Sequence, residues 1–593
     1  SLKVTSAAKS PTNIHFMGDN NHLLTDNLAN TTLWIDGNTS RGFSRLYVDQ
    51  SSVNHGVIRM ETTSADGADR SSYLTVTSGT LTNAADGQID VIAKKGWNRV
   101  ITGNLTNMGT IAVESGITLS LASSGNQVIQ AGGSIGTTGN GQVLQTGGSF
   151  LFTGGSTPGI VRLRGVQLSV ANTVTTTSTI RVVGDNSVFV GNDSPTVTIW
   201  LEGNTSTGYS RLFVDQNAVN HGVIRMETTS SDGADRSTYL TTRNGAKLIN
   251  ESDGRIESYA GAGWNRVLDG VFVNRGRFDA FTGTWLGTGT LEADGGTYSD
   301  LFYLLGASLK VTSAAKSPTN IHFMGDNNHL LTDNLANTTL WIDGNTSRGY
   351  SRLYVDQSSV NHGIIRMETT SGDGANRSSY LTMTSGTLTN AADGRIDVIA
   401  NQGWYRVITG NLTNSGTIST DTALTIGTTG AALVNRGIIA LVGASVTFTG
   451  DSLHNQFGAL ISGVGTINTV GVTLTNDGTI DLTPPSVIDV KIDPGQIQIG
   501  FIDPIGLDAA TVTNLANYTL VASGSDGVFG NGNDVNRTAN ISSASFNVAT
   551  QTLTLLMASA LSSDDYLLTL NAPAITNTNG TALFGTAIPI TLA

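Results

Sequence analysis

Short apolar stretches alternate with polar positions through most of the chain, and most are only three to six residues long. Pieces such as Val57-Ile-Arg-Met60, Gln88-Ile-Asp-Val91 and Leu105-Thr-Asn107 put one apolar side chain on every second position, the two-residue period of a strand with one buried face. The strands are punctuated by a recurring mark, Asn-x-Gly-x-Ile, following a β-branched or Leu residue. It stands at Asn54/Gly56/Ile58, Asn107/Gly109/Ile111, Asn220/Gly222/Ile224, Asn361/Gly363/Ile365, Asn414/Gly416/Ile418, Asn435/Gly437/Ile439 and Asn476/Gly478/Ile480, with Phe278 replacing Ile after Asn274/Gly276. A longer form, Asn-x-x-Asp-Gly, occurs at Asn83, Asn250 and Asn390. The marks are often about 20–30 residues apart, the length of one coil of a repeat solenoid. Each coil is expected to run a strand into an Asn-x-Gly turn, with Gly supplying a positive φ and Asn tolerating it, and to start the next strand at the Ile. Coils stacked at about 4.8 Å would pile Ile, Leu and Val into one narrow core and line up the Asn side chains as an amide ladder.

Longer repeats enclose the short ones. Residues 1–111 recur almost letter for letter from Ser308, with exchanges such as Phe43 to Tyr350 and Asp69 to Asn376; a diverged copy lies between them, marked by Trp200-Leu-Glu-Gly-Asn-Thr-Ser against Trp34-Ile-Asp-Gly-Asn-Thr-Ser. The pattern breaks at Pro484-Pro485, and six of the ten prolines lie from there onward. The expected organisation is all-β: a parallel β-solenoid over 1–482, in copies of about 1–166, 167–307 and 308–482, followed by an immunoglobulin-like sandwich over 483–593. Its strands include 488–492, 518–521, 552–555 and 566–570. Right-handed winding is expected, because parallel crossovers prefer it. About 20 coils would make a rod near 100 Å long. An antiparallel arrangement of Asn-Gly hairpins is the alternative.

Composition narrows the function. Cysteine is absent, which removes thiolate chemistry and Cys-based zinc sites and leaves packing, hydrogen-bond ladders or metal ions to hold the fold. A net charge of −13 argues against nucleic acid as a partner. No apolar run approaches the roughly 20 residues of a membrane helix. There is no signal peptide or initiator Met, and Ser1 lies inside a repeat, so the chain is expected to be part of something longer.

The phrases Leu105–Ile111, Leu412–Ile418 and Leu474–Ile480, each Leu-Thr-Asn-x-Gly-Thr-Ile, resemble the repeats of filamentous-haemagglutinin-type and autotransporter-type β-helix proteins. That resemblance implies a large, secreted, adhesive or structural bacterial protein. An autotransporter's membrane barrel is missing from the sequence. The stretches 507–520, 524–534 and 560–566 resemble an immunoglobulin-like module found at the ends of, and between, repeats in large bacterial surface proteins. Where related modules carry an Asp-rich loop, this one reads Asn531-Gly-Asn533-Asp534.

Four groups of residues are candidates for chemistry. Asp526, Asn531, Asn533 and Asp534 gather oxygen donors among glycines, as a calcium loop does, and calcium is the expected cofactor. A weaker metal candidate is Asp66/Asp69, recurring as Asp232/Asp235 and Asp373/Asn376; a plain loop with an Asp–Arg pair is the stronger reading. Trp97/Arg99, Trp264/Arg266 and Trp404/Arg406 repeat a Trp beside an Arg, which could stack on sugar rings at regular positions and so bind surface glycans multivalently; the plainer alternative has the Trp covering a corner while the Arg bonds backbone carbonyls. His55, His221 and His362 sit at turn tips pointing to solvent. Asp49, Asp215 and Asp356 recur once per copy, which fits structure better than a single catalytic pair. The expected function is a non-enzymatic extracellular surface rod that could self-assemble. Carbohydrate binding is the alternative, and a polysaccharide lyase or hydrolase stands behind that.

Overall fold

The computed structural model describes residues 1–593 except 39, 64–69, 95–97, 123–124, 231–235, 262–263, 346–347, 371–376, 579, 585–586 and 593, and gives only the backbone of 587–592. The chain forms two compact units, one of Ser1–Phe323 with Asn327–Thr338, the other of Met324–Asp326 with Thr339–Ala593.

The first unit is a parallel β-solenoid. Its strands pair in parallel with strands one coil away and in phase. Ile58 opposes Ile89, Ile89 opposes Ile111, and Ile111 opposes Ile135. Their side chains are at most 1% exposed, as are Leu33, Leu46, Leu74 and Leu105. Sequence alternation thus becomes a column: every second side chain points inward onto the same residue type one coil away, while its neighbours face water.

The Asn of the recurring mark is buried and forms the expected ladder. Asn27 donates its amide to Asn54 Oδ1 at 2.7 Å, Asn54 to Asn83 at 2.7 Å, Asn83 to Asn107 at 2.8 Å, and Asn107 to Gln130 Oε1 at 2.8 Å. Each amide also donates to a main-chain carbonyl of the following strand, as Asn83 does to Thr110 at 3.2 Å.

The glycine works differently from expectation. None of Gly56, Gly109, Gly222, Gly276, Gly416, Gly437 and Gly478 has a positive φ; the left-handed residues lie elsewhere, for example Gly79, Gly103, Asn30 and Asn244. What these positions require is the absence of a Cβ. At Gly109 it would stand 2.2 Å from the carbonyl oxygens of both Ala84 and Gly87, and Gly276 meets Glu251 and Gly254 in the same way. The corner packs backbone on backbone.

The columns also show that the long copies are out of phase with the faces of the solenoid. The strand Ser44–Val48 stacks in turn on 72–76, 99–101, Thr118–Ala122, Gln142–Thr146, Ile160–Arg164 and Ser178–Val182. The next strand in that column is Val197–Gly203, which carries Trp200. The corresponding Trp34 lies in Thr31–Gly37, in a different column with Val57–Thr62 and Gln88–Val91. Equivalent residues of the first and second copies therefore face different sides.

In the second unit the parallel pattern continues with Ile365 on Ile396 on Ile418 on Ile439 on Ile461, and the ladder runs Asn361–Asn390–Asn414–Asn435–Asn455–Asn476 at 2.7–2.8 Å. The last parallel strand is Thr479–Asp481. After Pro484-Pro485, which cannot donate to a ladder, pairing becomes antiparallel. One four-stranded sheet orders Ser486–Asp493, Gln496–Ile502, Thr552–Met557 and Ile541–Asn547; the other orders Val535–Asn536, Tyr518–Ala522, Asp564–Leu570 and Ala587–Leu592. One apolar cluster joins them, with Ile497, Ile499, Leu553 and Leu555 from the first sheet and Tyr518, Leu520, Tyr566 and Leu568 from the second, all nearly fully buried. The Tyr518 hydroxyl, inside that cluster, donates to Val512 O at 2.5 Å, as burial of a phenol demands.

Candidate functional site

The loop between strands Tyr518–Ala522 and Val535–Asn536 brings the four calcium candidates together. Asp526 Oδ1 accepts the Val528 N–H at 2.8 Å, and its Oδ2 accepts the side-chain amides of Asn531 at 2.8 Å and Asn533 at 3.0 Å. These bonds, the Val528 N–H first, hold the Asp526 carboxyl below the usual carboxylate range. Asp534 Oδ2 accepts the Gly530 N–H at 2.6 Å, while its buried Oδ1 has no partner. The sequence reading missed what anchors this loop: Asp564, on the neighbouring strand, accepts the Ser523 hydroxyl at 2.7 Å and the Ser525 N–H at 3.0 Å. Among the described residues, no group of three or more His, Cys, Asp or Glu side chains converges as a metal site would need. Oxygen coordination here would draw on amide and main-chain carbonyls as well as carboxylates. Of the second metal candidate, Asp66, Asp69, Asp232, Asp235, Asp373 and Asn376 lie outside the described residues.

The pairs Trp264/Arg266 and Trp404/Arg406 do not form a joint surface. The Arg side chains are turned inward: Arg99 is 0% exposed, Arg266 2% and Arg406 3%. Arg99 donates to Ile92 O at 3.2 Å and Asn98 O at 3.3 Å, Arg266 to Tyr259 O at 3.0 Å, and Arg406 to Gln402 O at 3.1 Å and Ile399 O at 3.3 Å. Burial pulls the Arg99 guanidinium down to about 10, and lowers Arg266 and Arg406 in the same direction. These guanidiniums bond backbone carbonyls, as the Arg half of the plainer alternative had it, whereas its Trp half does not fit the exposed Trp264 and Trp404. Trp264 and Trp404 are exposed, at 67% and 55%, and Trp97 lies outside the described residues. Arg99 and Arg266 stand in different columns, so these two guanidiniums do not share a face.

The histidines at the turn tips are partly exposed, their side chains 33–41% accessible, and each also spans one coil to the Asp of the longer Asn-x-x-Asp-Gly turn. His55 meets Asp86, His221 meets Asp253 and His362 meets Asp393, each at 2.9 Å. The recurring carboxylates are also engaged across coils. Asp49 accepts from His22 at 2.6 Å and Thr77 at 2.8 Å, Asp215 forms a two-bond pair with Arg243 at 2.7 Å each, and Asp356 accepts from Thr384 at 2.7 Å. The second copy adds a buried carboxylate that sequence reasoning passed over. Glu202, 1% exposed, takes Arg162 Nε at 2.8 Å and Nη2 at 2.9 Å, Arg181 at 3.3 Å and Thr229 at 2.9 Å. Burial, the largest single influence, works to raise its pKa, but the bonds and charges of Arg162 and Arg181 with the Thr229 bond together hold the carboxyl low. Trp200 lies between Arg181, 4.2 Å from a ring centroid, and Arg225, at 4.4 Å.

No family model matches the chain, and no curated protein matches it. Among solved structures, the S-layer protein rSbsC(31-844) is 17% identical at a TM-score of 0.15, over 19% of this chain and 14% of that one. SbsC domains 1–6 align at 17% identity and 0.15, over 18% and 14%. The N-terminal part of the bacterial S-layer protein SbsC aligns at 16% and 0.15, over 18% and 23%. The match thus spans less than a quarter of each of those chains, and similarity at this level bears on neither fold nor function.

Proposed function

We propose that the chain is part of a non-enzymatic bacterial surface protein, acting outside the cell as a stacked-coil structural element that ends in an immunoglobulin-like module. One observation carries this reading: the side chains that could do chemistry are spent on joining neighbouring coils. Carboxamides, imidazoles, carboxylates and some of the guanidiniums bridge neighbouring coils, as Asn54–Asn83, His55–Asp86 and Asp215–Arg243 do, so the sequence invests many of its polar groups in cohesion without disulfides. No helix among the described residues is long and apolar enough to cross a membrane. End-to-end self-association belongs to the same reading, because the strand Thr473–Asn476 leaves Leu474 41% exposed where its counterpart Leu453 is fully buried. A further strand would add at such an edge. Immunogold electron microscopy of intact producing cells with antibody to the purified chain should place label on the outer surface; label confined to the cytoplasm would remove the proposal. The alternative of glycan binding loses the joint Trp–Arg platform and rests on the exposed indoles of Trp264 and Trp404.

Calcium at the 526–534 loop is the cofactor of this reading. The unpartnered Asp534 Oδ1 supports it, and rotation of the Asn531 and Asn533 amides would turn their oxygens toward a cation beside Asp526. Millimolar calcium should raise the melting midpoint of the antiparallel module in the intact chain, and Asp526→Ala should abolish that rise. A wild-type midpoint indifferent to calcium would dispose of the ion.

A further inference from the structure

In the middle copy the amide ladder starts with an acid. Counting back from Asn220, Asp193 occupies the place that Asn27 holds before Asn54. Asn27 Nδ2 donates there to Thr31 O at 3.3 Å, Asn54 Oδ1 at 2.7 Å and Val57 O at 3.4 Å. The same pocket exists around Asp193. A Cβ built on Gly56 would meet Thr31 O, Leu28 O and Asn27 Nδ2, and a Cβ built on Gly222 would meet Val197 O, Ser194 O and Asp193 Oδ2. Asp193 Oδ2 thus lies where the amide nitrogen of Asn27 lies, in a pocket of carbonyl acceptors.

The other carboxyl oxygen is accounted for. Asp193 Oδ1 accepts the His221 N–H at 2.5 Å and the Gly222 N–H at 3.0 Å. Two atoms are left over: Asp193 Oδ2 and Asn220 Oδ1 are both buried and without partners, and both residues are 0% exposed. Two acceptors in adjoining rungs of a ladder, where every other rung holds a donor against an acceptor, need one proton between them.

We infer that Asp193 carries that proton in the folded protein and donates it from Oδ2 to Asn220 Oδ1, so that this rung is a carboxylic acid–amide link sensitive to pH. The carboxyl group needs no other cofactor or partner for this; the proton comes from water as the coil closes. Few charges oppose or favour it. From the following coil, His221 faces it, its ring held by Asp253 at 2.9 Å, and Glu251 is turned outward to Arg275 at 2.6 Å. The preceding coil and its own strand offer Ala171-Asn-Thr-Val174 and Ser194-Pro-Thr-Val197, none of them titratable. Burial accordingly lifts the Asp193 pKa to about 7, against an ordinary value of 3.8.

The sign follows from linkage. The folded state binds the proton more tightly than the unfolded chain, so the contribution to stability is full below pH 3.8, falls as pH rises, and is gone above about 7. Asp193→Asn restores the amide of Asn27 and removes the dependence. Hydrogen exchange on the full-length protein, corrected for intrinsic rates, should show protection of the 193–224 amides falling at least tenfold between pH 5 and pH 7.5 in the wild type relative to Asp193→Asn. Isotope-edited infrared spectra of the folded wild type should also carry a protonated-carboxyl stretch at pH 6 that is missing in Asp193→Asn. Equal pH profiles in the two proteins, or no such band in folded wild type, would overturn the inference.

Discussion

Replacing Asn83 by Leu should destabilise its neighbourhood by about 3–5 kcal/mol, although the substitution puts an apolar side chain into an apolar core. Asn83 is 0% exposed and serves three partners: it accepts from Asn54 and donates to Asn107 Oδ1 and Thr110 O. Leu removes all three bonds and leaves Asn107 Oδ1 and Thr110 O short of a donor inside the protein. The Asn54 amide nitrogen keeps only its 3.1 Å bond to Gln88 O, while Asn54 Oδ1 still accepts from Asn27. Each buried polar group left short costs about 1–3 kcal/mol, far more than the average worth of a single hydrogen bond. A stack of coils is not a two-state globule, so the loss should be local. Hydrogen exchange should find protection reduced by about two to four orders of magnitude over 81–113, with coils several rungs away unchanged. Asn172→Leu, at an exposed position of the same unit, should stay within about 0.5 kcal/mol. Equal effects at the two sites would mean that the ladder stabilises nothing.

Much of this architecture was legible in the sequence because the ladder writes itself as a period. The inward Ile and the buried Asn recur for the same reason, each having to meet its own kind one coil away. What the residues do at the corner was less legible. Asn-x-Gly reads as a turn needing a positive φ, whereas Gly109 sits in ordinary backbone and is needed because two carbonyl oxygens lie where its Cβ would be. A sequence records which residue is small, not what stands beside it. The same limit applies to Arg99, Arg266 and Arg406: a Trp beside an Arg allows both a surface pair and an Arg bonded to backbone carbonyls, and although the guanidiniums do the second, no sequence pattern reveals which carbonyls they meet. The His–Asp bridges could have been found by pairing the two forms of the turn, since His55 of the short form lies one coil from Asp86 of the long one. Asp193 could have been found by aligning the diverged copy on its ladder position instead of on Trp200.

The glycine at the corner yields the second large effect. Gly109→Ala should cost about 3 kcal/mol or more, because the added methyl would stand 2.2 Å from Ala84 O and Gly87 O and 2.9 Å from Asn83 Nδ2. The first two are main-chain atoms already committed: Ala84 O accepts from Gly87 N at 2.8 Å, and Gly87 O from Thr110 N at 3.0 Å. Neither can retreat without opening the bonds that set coil spacing, and the third is the ladder amide itself. Core overpacking costs typically about 1–3 kcal/mol when side chains can shift, and this contact is with backbone. Two control glycines separate the possible causes. Gly132, with nothing within 4 Å of an added Cβ and no positive φ, should accept Ala with little change or a small gain from reduced freedom of the unfolded chain. Gly116 also has open space but a φ of +84°, so Gly116→Ala should cost about 1 kcal/mol, the strain of a left-handed residue. Denaturant titration followed by local hydrogen exchange should therefore rank Gly109 worst, Gly116 next and Gly132 last. If Gly116→Ala proved the most damaging of the three, backbone conformation would govern these corners. The close approach of successive coils at Asn-x-Gly would then not be what conserves their spacing along the stack.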